Sequence, residues 1–171
     1  MTVRLEMQEG LLPIDSPPVG LISWYAPDGR IVVSVSSWLA VVNGSPPELR
    51  AGGGGLMLEG NFPEGADFVV TLLEEAQLPL FTKLMRHAER CGAPVTISED
   101  PLLTPAMHVH APLLADASLH LECAAGRVVS GTWARELAGQ VRLLHRREQQ
   151  LSPEQHPDFS ALQPLRPVFS R

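Results

Sequence analysis

The order of apolar and polar residues predicts a β-hairpin within the first forty residues of this chain. An apolar run from Val19 to Tyr25 is followed by Ala26-Pro27-Asp28-Gly29 and then by a second apolar run, Ile31 to Val35. In tight turns proline presets φ, aspartate bonds the backbone ahead of it, and glycine adopts a positive φ. We therefore expect two strands joined by a turn at Pro27 to Gly29.

Beyond the hairpin, short apolar runs alternate with turn residues, a pattern that favours a mainly β fold with short helices. Apolar residues at helical spacing predict a helix from about Glu74 to Cys91, and Ser37 to Val42 is interpreted as a short helical turn ended by Asn43-Gly44. A loop interrupted by prolines is expected from Pro94 to Pro105. The remaining apolar runs are predicted strands, with turns at Gly126 and Gly131: Ala66–Leu73, Met107–Leu114, Ala117–Cys123, Arg127–Ser130 and Glu136–His145.

The length and composition of the chain indicate one globular domain. It has 171 residues, of which 44% are hydrophobic and 19% are charged. Such a length is enough for a single domain with a substantial core. The sequence contains no internal repeat and no linker long enough to divide it, and an irregular Pro-rich tail is expected from about Ser152 to Arg171.

Charge and hydropathy narrow the expected partners and compartment. A formal net charge of −6, without a Lys/Arg cluster interleaved with aromatic residues, argues against a nucleic-acid partner. No window approaches the roughly 20 apolar residues of a membrane helix, and Arg4, Glu6 and Glu9 interrupt any signal-peptide apolar region. Cys91 and Cys123 fit no disulfide framework, so a reducing cytoplasm is the expected location.

Three serines at the end of the second hairpin strand are the first candidate binding residues. Ser34 and Ser36 fall on one face of an extended strand, whereas Ser37 falls on the other. Short hydroxyl side chains of this kind suit a phosphate or the polar edge of a ring system. The alternative is an ordinary strand with a polar, solvent-facing side.

Two further patterns have both a structural and a functional interpretation. The run Gly52 to Gly55 is either a backbone nest that cradles a phosphate or an ordinary loop. The aromatic residues, Trp24 and Tyr25 among them, are expected mainly in the core, and Trp38 is the best stacking candidate because it stands beside the serines.

Two histidines alternate on a predicted strand, as paired metal ligands can. His108 and His110 share a strand face, and His120 and Cys123 are three residues apart, which places them on opposite faces of a strand. A zinc site needs three or four convergent ligands. We therefore expect histidines on strand surfaces and no metal site.

Several short motifs follow one another in a fixed order along most of the chain. The first part carries Pro18-Val19, Asp28-Gly29, Ser37-Trp38 and Pro46-Pro47. The later motifs are Asn61-Phe62, Ala66-Asp67-Phe68-Val69-Val70, Leu103-Thr104-Pro105, Leu121-Glu122-Cys123, Gly139-Gln140-Val141 and Leu162-Gln163-Pro164-Leu165. In order and spacing these motifs resemble those of the flavin reductase-like, FMN-binding split-barrel family.

The resemblance implies a fold, a cofactor and an assembly. Members of the family are similar in forming an antiparallel split β-barrel and a homodimer with one FMN near the subunit interface on each side. Many transfer hydride from NADH or NADPH to flavin, and because the flavin carries this chemistry no catalytic side chain is assigned. Carried over to this chain, the FMN-binding residues would be Ser34, Ser36, Ser37, Trp38, Asn43, Gly53, Gly54, Gly55 and Asn61.

The chain departs from the family pattern at the phosphate segment. Counting back from Asn61, the family's Thr position holds Leu58, and its Arg or Lys position falls in the Gly52 to Gly55 run. A charge-assisted contact is worth ~1.5–3 kcal/mol, so FMN would be held more weakly or lost. Three interpretations stay open: an NAD(P)H-dependent flavin oxidoreductase, a flavoredoxin-like electron carrier, and a divergent dimer that has lost flavin and serves in binding.

Overall fold

The computed structural model describes the chain at residues 20–36, 38–42, 46–52, 62–73, 78–80, 82–83, 86, 95–97, 103–114, 119–130, 135–146 and 149–150. Residues 78–80, 82, 83 and 86 are helical, within the helix predicted from the sequence. The strands in the described residues are β1 (Gly20–Tyr25), β2 (Ile31–Ser36), β3 (Trp38–Val42), β4 (Glu48–Gly52), β5 (Phe68–Leu72), β6 (Val95–Ile97), β7 (Leu103–Pro105), β8 (Pro112–Leu114), β9 (Leu119–Ser130), β10 (Arg135–Arg146) and β11 (Gln149–Gln150).

Nine of these strands form one antiparallel sheet within the described part of the chain. Their order is β3-β4-β10-β9-β5-β1-β2-β6, with β11 paired to β10, while β7 and β8 form a separate pair. Strands β2 and β3 are separated only by residue 37, yet they lie toward opposite ends of this order. The sheet must therefore curl until its two ends meet, which gives a barrel closed at the bend between β2 and β3.

The predicted hairpin is confirmed, and its turn is built as the sequence indicates. Strands β1 and β2 pair antiparallel along their whole lengths. The Gly29 amide donates to the Ala26 carbonyl at 2.8 Å, and Gly29 has a φ of 83°. The Arg30 amide donates to the Asp28 carboxylate at 3.1 Å. A type I turn followed by a residue with positive φ is a common hairpin connection, and here proline, aspartate and glycine supply it.

Strand alternation divides the apolar residues between the barrel interior and a second layer outside it. The interior cluster includes Ile22, Trp24 and Phe68. Trp24 is fully buried and meets the ring of Phe62 edge-on, with centroids 5.4 Å apart, so it is a core residue as expected. Outside the barrel, the segment 103–114 and the helical residue Leu80 cover apolar residues of β1, β2 and β5. These strands are buried on both faces, which explains their nearly continuous apolar sequences.

A β-bulge lets β9 run as one strand through the position where the sequence predicted a turn. Ala125 and Gly126 of β9 together lie opposite Gly139 of β10, and Ala125 has a φ of 53°. A bulge of this kind bends a strand without ending it. A Cβ at residue 126 would lie 2.6 Å from the Ala66 carbonyl oxygen and would also meet the ring of Phe62. Gly126 is therefore needed for close packing inside a strand, and the predicted turn there is wrong.

Three further predictions from the sequence are wrong. Residues 38–42 form strand β3, not a helical turn, because Leu39 packs in the barrel interior and every residue pairs with β4. The loop expected from Pro94 to Pro105 contains β6 and β7. The strand expected from residue 107 to 114 is confirmed only at Pro112–Leu114, because residues 107–111 form a bend.

Candidate functional site

Ser36 closes the barrel at the end of β2. Its side chain is fully buried, and its Oγ lies 2.8 Å from the Gly52 carbonyl oxygen and within hydrogen-bonding distance of the Trp38 carbonyl oxygen. A hydroxyl has one hydrogen, so Ser36 donates to one of these two main-chain acceptors at a time. Ser34 lies on the same inward face and is 5% exposed. The solvent-facing interpretation of these two serines is wrong, because the curl of the sheet turns their face inward.

Trp38 lies across the β3–β4 pair from Gly52 and fills the space above it. The two residues are register partners. A Cβ at residue 52 would lie 2.6 Å from Cζ2, 2.7 Å from Cε2 and 2.8 Å from Nε1 of the Trp38 indole. Ordinary carbon contacts are about 3.5–4 Å, so the indole can lie here only because residue 52 is glycine. The first glycine of the Gly52 to Gly55 run therefore has a packing role.

The outward face of β3 forms an apolar strip, defined here as Trp38, Ala40 and Val42. Because Leu39 points into the barrel, these three alternate residues point away from it. Trp38 and Ala40 are half-buried, while Val42 is 48% exposed. An exposed apolar side chain on the same strand face as a half-buried indole is a surface suited to an apolar or planar partner.

A chain of alternating charges borders the apolar strip on the neighbouring strands β4, β9 and β10. The Glu48 carboxylate pairs with Arg50 at 2.6 Å and with Arg127, and Arg50 also pairs with Glu136 at 3.3 Å. Burial alone would raise the pKa of the Glu48 carboxyl, but hydrogen bonds from Arg50 and Arg127 outweigh burial and lower that pKa below its ordinary 4.5. Arg50 lies two residues before the first glycine of the run, Gly52, and two carboxylates already neutralise its charge.

Two carboxylates hold the bend between β7 and β8 against the outside of the barrel. The fully buried Glu122 accepts hydrogen bonds from the Met107 amide at 3.0 Å and the His108 amide at 2.6 Å. Asp67 accepts one from the His110 amide at 2.8 Å. Hydrogen bonds to charged acceptors are the strong ones in proteins. This explains why residues 107–111 bend instead of extending the predicted strand.

The three histidines whose side chains the structure describes, His108, His110 and His120, do not share one site. His108 and His110 are exposed, and the His110 ring packs on Tyr25 with centroids 4.9 Å apart. His120 is only 3% exposed, with its Nδ1 2.9 Å from the Thr71 hydroxyl, so the expectation of strand-surface histidines is wrong for this residue. Among the described residues, no group of three or more His, Cys, Asp or Glu side chains is placed to hold a metal ion.

Cys123 faces the barrel interior, opposite to His120, as their spacing predicted. It is a free, fully buried thiol. Burial, together with the negative charges of Glu122 and Asp67, raises the pKa of this thiol well above its ordinary range. A thiol that stays protonated is a poor nucleophile, so Cys123 is a structural residue.

Of the predicted binding residues, the structure brings Ser34, Ser36 and Trp38 to the barrel closure. The others, Ser37, Asn43, Gly53, Gly54, Gly55 and Asn61, lie outside the described residues. Sequence reasoning missed Gly52 as the partner of Trp38, because the pairing is visible only once β3 and β4 are in register. It also missed the charge chain, for which the alternating Glu48-Leu49-Arg50 at a strand was the available signal.

The barrel is antiparallel and is closed at a bend between two consecutive strands, and solved structures match this fold over most of the chain. The flavoredoxin of Methanosarcina acetivorans is 19% identical, with a TM-score of 0.61, over 94% of this chain and 84% of its own. Nitrilotriacetate monooxygenase component B of Bacillus cereus is 20% identical, with a TM-score of 0.63, over 89% and 80%. The NADH:FAD oxidoreductase of Streptomyces globisporus C-1027 is 26% identical, with a TM-score of 0.51, over 76% and 70%.

The chain therefore has the fold of the flavin reductase-like, split-barrel proteins that its sequence motifs resemble. The predicted fold class, a mainly β antiparallel split barrel, is confirmed. No family model matches the sequence, and no curated protein matches it. In the part of the chain that the structure describes, no helix has the length and apolar character to cross a membrane.

Proposed function

We propose that this protein binds a flavin and passes hydride or electrons between NADH or NADPH, the flavin and an acceptor. The observation that carries the proposal is the Trp38 indole seated on Gly52, at the Ser-Trp motif through which the sequence resembles the flavin reductase-like family. The fold supports it, because solved structures with this fold include a flavoredoxin and an NADH:FAD oxidoreductase. FMN is the proposed flavin on the sequence resemblance, with FAD as the alternative.

The described residues fit the ring of a flavin. The apolar strip has the half-buried Trp38 at one end of β3 and the exposed aliphatic side chain of Val42 at the other, with Ala40 between them. Aromatic side chains favour offset stacking with flat ring systems. The basic residue nearest the glycine run in the described segment, Arg50, is engaged by Glu48 and Glu136. We therefore propose that binding rests on the ring more than on the phosphate.

A bound flavin would supply the hydride chemistry at its own ring. The contribution of the chain would be to bind that ring, orient it and exclude water from one of its faces. Trp38 and Val42 would cover the ring from the barrel side, and Ser36 would hold the main chain beneath Trp38. Ser37, Asn43, Gly53 to Gly55 and Asn61 remain predicted contacts for the rest of the cofactor.

We also propose that the protein works as a homodimer in a reducing compartment. Exposure of Val42 at 48% supports a partner surface on the outward face of β3. The resemblance implies that the flavin lies near the subunit interface, which fits a site on this strand. The free thiol of Cys123 is consistent with a reducing cytoplasm.

The proposal is tested by titrating the purified protein with FMN and with FAD, following visible absorbance and tryptophan fluorescence. We expect saturable binding of at least one flavin, and oxidation of NADH or NADPH by the loaded protein. Trp38→Ala should weaken flavin binding about tenfold, as loss of one aromatic stack predicts. Leu78→Ala, an exposed residue on the helical segment, is the control. A protein that takes up neither flavin contradicts the proposal.

A flavoredoxin-like electron carrier is the second candidate. The match to the Methanosarcina flavoredoxin over 94% of this chain favours it. Such a carrier would bind flavin without oxidising NADH or NADPH and would be reduced by a partner protein. Flavin uptake without nicotinamide turnover would therefore select the carrier over the reductase.

A further inference from the structure

We infer that Gly52 and Ser36 are positioning residues that fix the Trp38 indole as the stacking platform of the flavin site. Neither residue needs to touch the flavin to do this. The inference rests on the proposed function, since it explains how the indole is held for a ring to stack on it. It also assigns the first glycine of the run to the aromatic side of the site and not to a phosphate.

The Trp38 indole packs directly on Gly52. The Cβ that any other residue would carry at position 52 would lie 2.6–2.8 Å from three indole atoms, in both rings of Trp38. Separations this short force the neighbour to move, because ordinary contacts are about 3.5–4 Å. The indole is broad and rigid, so it cannot yield as the end of a flexible side chain does. An alanine at 52 would therefore tilt or displace it.

The Ser36 side chain lies between the main chains of β3 and β4 and can donate to either of them. The Ser36 hydroxyl lies 2.8 Å from the Gly52 carbonyl oxygen and also within bonding distance of the Trp38 carbonyl oxygen. It is fully buried, so water does not compete for these contacts. Ser36 thus fixes the two strands whose register sets the indole over Gly52.

The Trp38 indole lies at the protein surface, on the outward face of β3. Trp38 keeps part of its side chain exposed and continues into the outward apolar strip with Ala40 and Val42. The charged pair Glu48 and Arg50 lies on the adjacent strand and is internally neutralised. An aromatic ring supported from below, with apolar neighbours along its strand, suits a planar ring ligand better than a charged group.

The experiment is a double-mutant cycle on flavin affinity. Gly52→Ala is expected to weaken FMN binding about tenfold, which corresponds to about 1.4 kcal/mol. In a Trp38→Phe background the smaller ring leaves room for the Cβ, so the same Gly52→Ala change should weaken binding less than about twofold. Ser36→Ala is expected to weaken binding in the wild-type background and much less with Trp38→Phe. FAD is titrated in parallel.

Two spectroscopic readouts separate positioning from general damage. The contribution of Trp38 to the near-ultraviolet circular dichroism is the spectrum of the protein with Trp38 minus that of the matching Trp38→Phe variant. This contribution should differ between flavin-free Gly52→Ala and the flavin-free wild type. Bound flavin quenches tryptophan fluorescence. In the same variant this quenching should be smaller than in wild type by the part that comes from Trp38. The matched control is Gly20→Ala, whose Cβ would lie 2.9 Å from the flexible Leu39 side chain in the same end of the barrel and does not touch Trp38. It should leave both signals as in wild type.

The outcomes are distinguishable from failure of the proposed function. If wild type binds flavin but Gly52→Ala weakens binding equally in both backgrounds, Gly52 acts on the cofactor directly and the inference is wrong, while the proposed function stands. Unchanged affinity in Gly52→Ala also overturns it. If wild type binds neither FMN nor FAD, the proposed function and the inference fail together. If Gly52→Ala does not fold, the double-mutant cycle of Ser36→Ala and Trp38→Phe replaces it. The inference is then wrong if Ser36→Ala weakens flavin binding equally with and without Trp38→Phe.

Discussion

Three glycine positions in this protein are constrained by close contact between an aromatic ring and the main chain. Three glycines, at positions 52, 126 and 139, each lie under an aromatic ring of a neighbouring segment. In each case the missing side chain makes room for the ring, and Trp38 is the only partly exposed ring of the three. Glycine at these positions is a packing requirement, which composition alone would have attributed to turns.

Replacing Gly139 by alanine is expected to destabilise the fold by about 1–3 kcal/mol, as overpacking of a close-packed core does. Its Cβ would lie 2.6 Å from Cζ of the buried Phe68 ring. Urea unfolding followed by fluorescence measures the change. Gly29→Ala is the matched control: nothing lies within 4 Å of its Cβ, so its loss comes from the positive φ alone, at roughly 1–2 kcal/mol. Equal losses in the two variants would contradict the steric explanation.

Ala125→Gly is expected to stabilise the protein by about 0.5 kcal/mol. A non-glycine residue with left-handed φ costs roughly 1–2 kcal/mol of stability. Glycine removes this strain but makes the unfolded chain more flexible, which offsets roughly 0.5–1 kcal/mol of the gain. Ala125 sits in the β9 bulge with a φ of 53°. Thermal unfolding should show a higher midpoint for this variant and a lower one for Ala124→Gly, its neighbour outside that region. A lower midpoint for both would show that the bulge carries no strain.

Individual elements are held together as much by carboxylates as by apolar packing. The bend at 107–111 packs Val109 and Ala111 on Val69 of β5, but its amides are bound by Glu122 and Asp67. The bend therefore depends on two carboxylates from distant parts of the chain, Glu122 of β9 and Asp67, the residue before β5. No local pattern in the sequence around residue 107 could have shown this dependence.

Glu122→Gln is expected to loosen this bend and cost about 2–3 kcal/mol, because a buried amide can accept at only one oxygen and leaves a main-chain donor unsatisfied. Hydrogen exchange of the Met107 and His108 amides should accelerate more than that of β5. Asp67→Asn is the control, since its bond to the His110 amide is solvent-exposed and should affect that amide alone. Unchanged exchange at 107 and 108 in Glu122→Gln would contradict the role assigned to the carboxylate.

At the scale of the whole molecule, stability should depend on pH through the charge chain on β4, β9 and β10. The folded-state pKa of Glu48 lies below 4.5, so its ion pairs stabilise the protein fully above that pH and are lost as the pH falls through the lower folded value. Glu48→Gln is expected to cost about 1 kcal/mol at pH 7. The difference from wild type should shrink steadily below pH 4.5.

The measurement is chemical unfolding of wild type and Glu48→Gln at pH 7 and in steps below pH 4.5. Asp28→Asn is the control, because its ion pair with Arg30 is exposed at the hairpin turn. A stability difference for Glu48→Gln that stays constant with pH would show that the residue acts through packing and not through charge.

The sequence could predict those features of the fold that depend on residues close together in the chain, and not those that depend on distant segments. The β1–β2 hairpin was predictable because Pro27, Asp28 and Gly29 act within four residues of one another. Strand β3 was not, because five residues cannot separate helix from strand and its partner β4 is in another segment. The site was predicted in part: Trp38 was chosen beside the serines, but the inward direction of Ser34 and Ser36 depends on the curl of the entire sheet.

The contact between Ser36 and Gly52, where the barrel closes, has a consequence for how the chain folds. Closed barrels commonly bring distant parts of a chain together, whereas here Ser36 meets Gly52 only 16 residues away. Loop-closure entropy grows with the length of the loop, so this joint can form early and at small entropic cost. The slow step should then be the docking of β9 and β10 onto β5 and β4, which are separated from them by long stretches of sequence. We therefore expect the Ser36–Gly52 contact to form before β9 and β10 complete the barrel.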